Sequence, residues 1–125
     1  RYGETEVELL LGDAGIIRHR GKIESTINNA ARCLELAEQF GSLAGWLWSW
    51  EPDQSVREID GSIPASTPTS AALSHDLKKR AWSFIGPTTI YAFMQAVGMV
   101  NDHLPNCWAH PAVEAERAAL LRPVR

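Results

Sequence analysis

The segment IGPTTIYAFMQAVGMVNDHLPNC, from Ile85 to Cys107, decides the fold that we expect for this chain. It places a Gly-Pro-Thr-Thr turn directly before an apolar run with helical spacing. Gly86 is expected to supply a backbone geometry that other residues resist, and proline suits a first helical position. A glycine turn that feeds a helix N-terminus presents N–H groups to an anion, with phosphate as the obvious candidate. The predicted phosphate-binding residues are Gly86, Pro87, Thr88 and Thr89.

A basic run, LKKR from Leu77 to Arg80, lies just upstream of this turn. Together the two segments predict a helix, a tight hairpin at Ser83–Pro87 and a second helix. This arrangement holds a nucleic-acid backbone without reading its sequence. A solvated face is the alternative interpretation of the charges, which also suit a helix C-terminus. The candidate backbone contacts are Lys78, Lys79 and Arg80.

The apolar helix is followed by Asn-Asp-His-x-x-x-Cys, which contains two candidate metal ligands. His103 and Cys107 are residue types that zinc prefers, at a spacing that one helical turn brings together. A buried cysteine near a polar histidine is also common without any metal. From the residues alone, the metal site and a metal-free packing arrangement both stay open.

LKKR followed by FIGPTTIYAFMQA and GMVNDH resembles the C-terminal signature of the DNA-3-methyladenine glycosylase I family, bacterial alkylation-repair enzymes. DAGIIRHRGKI (Asp13–Ile23) is similar to the other characteristic segment of that family. The resemblance extends over Val7–Trp108, with both motifs in the same order and spacing. It implies a single domain over residues 1–125 that is the C-terminal portion of a helix-hairpin-helix glycosylase domain, with the N-terminal part missing.

The family resemblance implies a monofunctional hydrolase that releases 3-methyladenine from alkylated double-stranded DNA. No lysine occupies the place where bifunctional relatives form a Schiff base, so no lyase step is expected. The base-pocket residues are expected upstream of this chain, which makes the chain alone inactive. A non-catalytic DNA-binding module and a glycosylase for another alkylated base are the alternatives. The implied protein is a monomer.

The same resemblance implies a structural zinc held by two cysteines and two histidines. His103 and Cys107 are taken as half of that ligand set, with the other two ligands upstream. Asn101 takes the place of the catalytic aspartate of related glycosylases, and an amide cannot accept a proton as a carboxylate does. We therefore expect Asn101 to orient neighbouring groups or to cap a helix. Trp82 and Ser83 replace a family Phe and Lys, and the second change removes one possible phosphate contact.

The composition limits the classes of partner and environment. The 125 residues, of which 45% are hydrophobic, are enough for one modest core. A net charge of −3 gives no overall attraction to DNA, so contacts must come from local clusters such as Lys78–Arg80 and Arg18–Lys22. No apolar run approaches a membrane span, and no membrane partner is expected. The two cysteines, Cys33 and Cys107, argue against a disulfide framework and favour the bacterial cytoplasm.

Hydrophobic periodicity predicts an all-α fold. The first helix is predicted over Thr5–Leu11 with Thr5 as its cap, and a long amphipathic helix is expected to end at Gly41. The predicted buried stripe of that long helix contains Ile23, Ile27, Ala30, Leu34 and Ala37. The remaining predicted elements are a short helix over Leu43–Trp50, a loop over Glu51–Ser70, a helix from Ser70 to the hairpin, a helix over Thr88–Val100 that buries Ile90, Phe93, Met94 and Val97, and a last helix over Ala112–Leu121. The tryptophans at 46, 48 and 50 are assigned to a packed core.

Overall fold

The computed structural model describes residues 2–53 and 62–124, and these residues form six helices and no strand. The helices are α1 (Glu4–Gly12), α2 (Arg20–Phe40), α3 (Leu43–Trp48), α4 (Pro68–Lys79), α5 (Pro87–Ala96) and α6 (Ala109–Ala119). The all-α prediction is therefore confirmed for these residues. Residues 54–61 of the predicted loop lie outside the described part of the chain.

The first two helices differ from the prediction in their cap and in their buried face. Gly3, not Thr5, caps α1, and its N–H donates to the carboxylate of Glu6 over 2.6 Å. Helix α2 ends at Gly41 as predicted, with a φ of 78°. Leu34 is 73% exposed and Ala30 is exposed as well, so the predicted stripe is wrong at both positions. The buried face of α2 is instead partly polar, because it packs against the hairpin.

The hydrophobic core lies where α2 and α3 meet α4 and α5. Leu36, Trp46, Leu73, Leu77 and Met94 are among its buried residues. Trp48 and Trp50 are partly buried and pack against this cluster. The assignment of the tryptophans to a packed core is therefore confirmed, and the same core packs α4 against α5.

Helix α5 ends at Ala96, four positions before the predicted end. Gly98 adopts a left-handed φ of 74°, and the N–H of Met99 bonds back to the carbonyl of Met94 over 2.9 Å. This turn directs Met99 and Val100 into the core. Val97, predicted as buried, is 40% exposed, whereas Tyr91 is only 3% exposed. The glycine turn explains the difference, because a left-handed residue ends the helical path.

Helix α6 is held by arginines rather than by an apolar stripe. Arg117 is 7% exposed and donates to the carbonyl of Gly98 and to Glu51, the latter over 3.1 Å. Arg122 donates to both carboxylate oxygens of Glu51, over 3.0 and 2.8 Å. These bonds fasten α6 to the end of α3 and to the turn after α5. The helices of the described segments are all too short or too polar to cross a membrane.

Candidate nucleic-acid interface and metal centre

The connection between α4 and α5 is a tight turn with two left-handed residues. Ala81 and Phe84 adopt φ angles of 62° and 55°, in a region that favours glycine. The hydroxyl of Ser74 is buried and donates to the carbonyl of Ile85 over 2.6 Å. The helix, hairpin and helix expected from the sequence are therefore present, and α4 is bonded directly to the residue before Gly86.

The Gly-Pro-Thr-Thr segment begins α5 as predicted. Gly86 is the N-cap and makes no side-chain capping bond, and Pro87 is the first helical residue. Thr88 and Thr89 are exposed, and the first N–H groups of a helix have no acceptor within the helix itself. Their N–H groups therefore lie at the positive end of the helix dipole, open to an anion.

The expected special geometry of Gly86 is wrong. Its φ of −62° and ψ of 164° are extended backbone that any residue adopts. A Cβ atom added to Gly86 would have no neighbour within 4 Å. The space in front of Gly86 is therefore open. The lack of a side chain is not needed by the fold, and it would matter only to a ligand that binds at this position.

The three basic residues of LKKR have different environments. Lys78 and Lys79 are exposed in the last turn of α4. The Nε of Arg80 bonds to Asp76 and one Nη bonds to Gln39, each over 2.8 Å. Its guanidinium also lies 5.2 Å and 5.4 Å from the ring centres of Phe40 and Trp46. These contacts favour a structural role for Arg80, and we do not include it among the proposed DNA contacts.

Polar residues of α2 hold the hairpin, and the sequence prediction missed them. Asn29 donates to the carbonyl of Ser83 over 2.9 Å and accepts from its N–H over 3.0 Å. Asn28 donates to the carbonyl of Ala81 over 2.8 Å, and Ser25 bonds to the Ser83 hydroxyl over 2.8 Å. The detectable signal was Ser25 and Asn29, one turn apart on the face of α2 opposite the predicted apolar stripe. The Ser83 side chain is bonded to α2, so this residue helps to hold the turn against that helix.

In the second basic cluster, Arg20 is held in ion pairs. Arg20 pairs with Glu4 over 2.8 Å, with Glu8, and with Glu24 over 3.5 Å. The hydrogen bonds that Arg20 donates to Glu4 and Glu8 raise its pKa above the ordinary value. Arg20 therefore joins α1 to α2. The ring of His19 contacts Phe84 edge to face, with centres 6.1 Å apart, and so brings the start of α2 to the hairpin.

His103 and Cys107 lie together in the loop between α5 and α6. The Sγ atom of Cys107 is 3.5 Å from Nδ1 of His103. Both side chains line an open cavity of about 460 Å³, to which Gln95 and Val113 also contribute. Across residues 2–53 and 62–124, no group of three or more metal-ligating side chains is brought together. The structure thus places the two predicted ligands side by side as a pair.

The two polar residues before His103 are bonded to neighbouring helices. Asn101 is 1% exposed, and its carboxamide donates to the carbonyl of His110 over 3.1 Å and to Glu114 over 2.7 Å. One oxygen of Asp102 accepts from the Tyr91 hydroxyl and from Gln95, the latter over 2.8 Å. The expectation that Asn101 orients its surroundings agrees with this geometry.

The sequence and the structure of this chain are similar to those of known proteins. The family model described as methyladenine glycosylase matches residues 1–110. DNA-3-methyladenine glycosylase 1 of Escherichia coli (strain K12) is 44% identical over 111 residues, which cover 86% of this chain and 59% of the relative. A crystal structure of 3-methyladenine DNA glycosylase I superposes with a TM-score of 0.76 at 43% identity, and covers 88% of this chain and 62% of that one.

A third comparison is with a structure that describes 3-methyladenine recognition by the glycosylase I of Staphylococcus aureus. It has a TM-score of 0.80 at 29% identity, and the alignment covers 89% of this chain and 61% of that one. The chain thus spans about three fifths of the length of these relatives. Since the family match includes the hairpin, the start of α5 and the His103–Cys107 pair, the chain belongs to the methyladenine glycosylase family.

Proposed function

We propose that the protein is a base-excision repair enzyme that hydrolyses the N-glycosidic bond of 3-methyladenine in alkylated double-stranded DNA and releases the free base. The family match over residues 1–110 carries this proposal. The names of the relatives, which include a Staphylococcus aureus enzyme described with 3-methyladenine recognition, support the substrate. We further propose that it acts as a monomer in the bacterial cytoplasm.

In this proposal the hairpin holds the DNA backbone. The N–H groups of Thr88 and Thr89 bind a phosphate, and the open space at Gly86 lets the strand approach the helix start. Lys78 and Lys79 contribute exposed positive charge from the preceding helix. Phosphate contacts of this kind position the duplex without specifying the base. They hold the strand while the damaged nucleotide is turned out of the stack.

The proposed chemistry needs no strong general base from this chain. The methylated adenine of the nucleotide is cationic, so cleavage of its bond to C1′ releases a neutral base. Water adds to C1′ and gives its proton to solvent, which completes the hydrolysis. Asn101 is buried and bonded to α6, and it does not serve as a base in this scheme. Binding of the extruded base then supplies most of the catalysis.

We also propose that His103 and Cys107 supply two of the four ligands of a structural zinc. Zinc bonds of ~2.3 Å to sulfur and ~2.0–2.1 Å to nitrogen, at a tetrahedral angle, separate two ligand atoms by about 3.6 Å. The observed separation of Sγ and Nδ1 is 3.5 Å, which is close to this value and supports the pair as two ligands of one tetrahedral ion. The adjoining cavity of about 460 Å³ leaves room for two further ligands.

The activity is tested with the full-length protein on methylated duplex DNA, with unmethylated duplex as the control. Chromatography of the released bases should show 3-methyladenine. DNA binding without base release would identify a non-catalytic module instead, and release of a different alkylated base would identify a different glycosylase.

The metal is tested separately by zinc content. The double variant His103→Ala, Cys107→Ala should lose its zinc, because half of the ligand set is removed. The double variant Cys33→Ala, His75→Ala is the matched control, because it removes the same residue types from α2 and α4. Stoichiometric zinc in the first variant would overturn the ligand assignment.

A further inference from the structure

The loop that bears His103 and Cys107 is closed by one buried side chain. The carboxamide oxygen of Asn101 accepts from the N–H of His103 over 3.2 Å, before the cysteine. Its nitrogen donates to the carbonyl of His110 over 3.1 Å, after the cysteine. A single amide thus bonds to both sides of the pair. A carboxylate could not make both bonds, because an ionised carboxylate only accepts.

Helix α6 supports this amide from outside the family match. The match ends at residue 110, whereas Glu114 and Arg117 follow it. Glu114 accepts from the Asn101 nitrogen over 2.7 Å and lies 3.7 Å from Arg117 Nε. Arg117 is bonded in turn to the carbonyl of Gly98 and to Glu51. The turn before the loop and the helix after it are therefore held in one network.

We propose that Asn101 is a positioning residue for the metal, and that Glu114 of α6 is its partner. Asn101 holds Sγ and Nδ1 3.5 Å apart before the ion binds. Zinc binding then does not have to order the loop, so the entropy cost of binding is smaller. The inference rests on the proposed zinc site. It goes beyond that site by assigning a function to a residue that is not a ligand and to a helix beyond the family match.

The test measures zinc affinity of the folded full-length protein by chelator competition. Asn101→Ala should weaken zinc binding by about 10–100-fold, the effect typical of residues that orient ligands. Asn101→Asp should weaken it as well, because a carboxylate then faces Glu114 and the bond to His110 is lost. Adding Glu114→Gln to Asn101→Asp should recover part of the affinity, because the glutamine amide can donate to the new carboxylate. Glu116→Gln, at an exposed position of α6, is the control.

A second readout separates positioning from general stability. Cobalt(II) substituted into the site should give a sulfur-to-metal charge-transfer band and ligand-field bands, and both should shift in Asn101→Ala if the ligands are displaced. Unchanged affinity and spectrum in a folded Asn101→Ala protein would overturn the positioning role. If that variant does not fold, failure of Glu114→Gln to restore affinity to Asn101→Asp overturns it. Absence of zinc from the wild-type protein would instead defeat the zinc site itself.

Discussion

The buried hydroxyl of Ser74 donates a hydrogen bond of 2.6 Å to the carbonyl of Ile85 and so joins α4 to the residue before the Gly86 turn. Because α5 begins immediately afterwards, this bond sets where the exposed N–H groups of Thr88 and Thr89 lie relative to α4. Lys78 and Lys79 lie on α4. The same bond therefore helps to set the distance between these two lysines and the N–H groups at the start of α5.

Ser74→Ala should therefore lower the free energy of unfolding of the full-length protein by about 1–3 kcal/mol, since it leaves a buried carbonyl without its donor. Ser66→Ala, at an exposed position before α4, should change it by less than about 0.5 kcal/mol. Chemical denaturation measures both. Equal values for the two variants would show that the Ser74 bond contributes nothing to stability.

Gly86→Val should weaken DNA binding without unfolding the protein. The backbone of Gly86 is extended and a Cβ meets nothing within 4 Å, so the fold tolerates the side chain. An approaching phosphate would meet it. The loss of affinity should be roughly tenfold or more, because a hydrogen bond to a charged group contributes ~1.5–3 kcal/mol.

Fluorescence anisotropy with methylated and unmethylated duplexes measures this effect, and both affinities should fall alike. Ala92→Val adds the same bulk to an exposed position in the middle of α5 and should leave binding unchanged. A loss confined to methylated DNA would place the hairpin in the base pocket and contradict its proposed role.

Lys78→Ala and Lys79→Ala should each reduce the slope of the logarithm of DNA affinity against the logarithm of salt concentration by about 1. Each removes an exposed charge that the proposed function places near the DNA strand. Arg80→Ala should instead destabilise the fold, since its guanidinium is bonded to Asp76 and Gln39 and lies over two rings. A salt slope that changes only in Arg80→Ala would reverse the assignment of these three residues.

Ala81→Gly should stabilise the protein by about 1 kcal/mol. Ala81 has a φ of 62°, and a left-handed conformation costs an L-residue roughly 1–2 kcal/mol, which glycine avoids. Glycine is also more flexible in the unfolded chain, and this greater freedom offsets part of the gain. Ala72→Gly, at an exposed position of α4, should destabilise by about 1 kcal/mol, because its backbone is helical. Thermal unfolding distinguishes the two, and a lower Tm for Ala81→Gly would contradict the argument.

Glu51→Gln should destabilise the protein in a pH-dependent manner. Hydrogen bonds from Arg122, with the charge of Arg117, hold the pKa of Glu51 below its ordinary value. The carboxylate therefore contributes stability above the unfolded pKa of about 4.3, and this contribution is lost as the pH falls through the lower folded pKa. Glu51→Gln should lower the free energy of unfolding by about 1–3 kcal/mol at neutral pH, and this difference should vanish in acid.

Denaturation curves at several pH values test this dependence. Glu116→Gln, an exposed carboxylate on α6, should show no comparable difference at any pH. A Glu51→Gln effect that stays constant from neutral pH to below the folded pKa would mean that the arginines stabilise α6 by packing and not by charge.

The local order of elements could be predicted from the sequence, because it depends on periodicity and on turn residues. Gly41 and the Gly-Pro pair at residues 86–87 mark a helix end and a helix start, and both lie where predicted. His103 and Cys107 meet because they are four residues apart, a distance that short-range geometry controls. The motif that contains them is also the one that resembles the family to which the chain belongs.

Only the tertiary structure decided which polar groups support the hairpin and which basic residues of LKKR remain exposed. Asn29 meets Ser83 across 54 positions, and Arg80 meets Gln39 across 41. Periodicity does not encode contacts of that separation. Arg80 and its two lysine neighbours carry the same charge in the sequence. Arg80 differs from them because its guanidinium is bonded to Asp76 and Gln39 and lies over the Phe40 and Trp46 rings. The contact of Asn101 with Glu114 is tertiary in the same way, since α6 lies outside the motif.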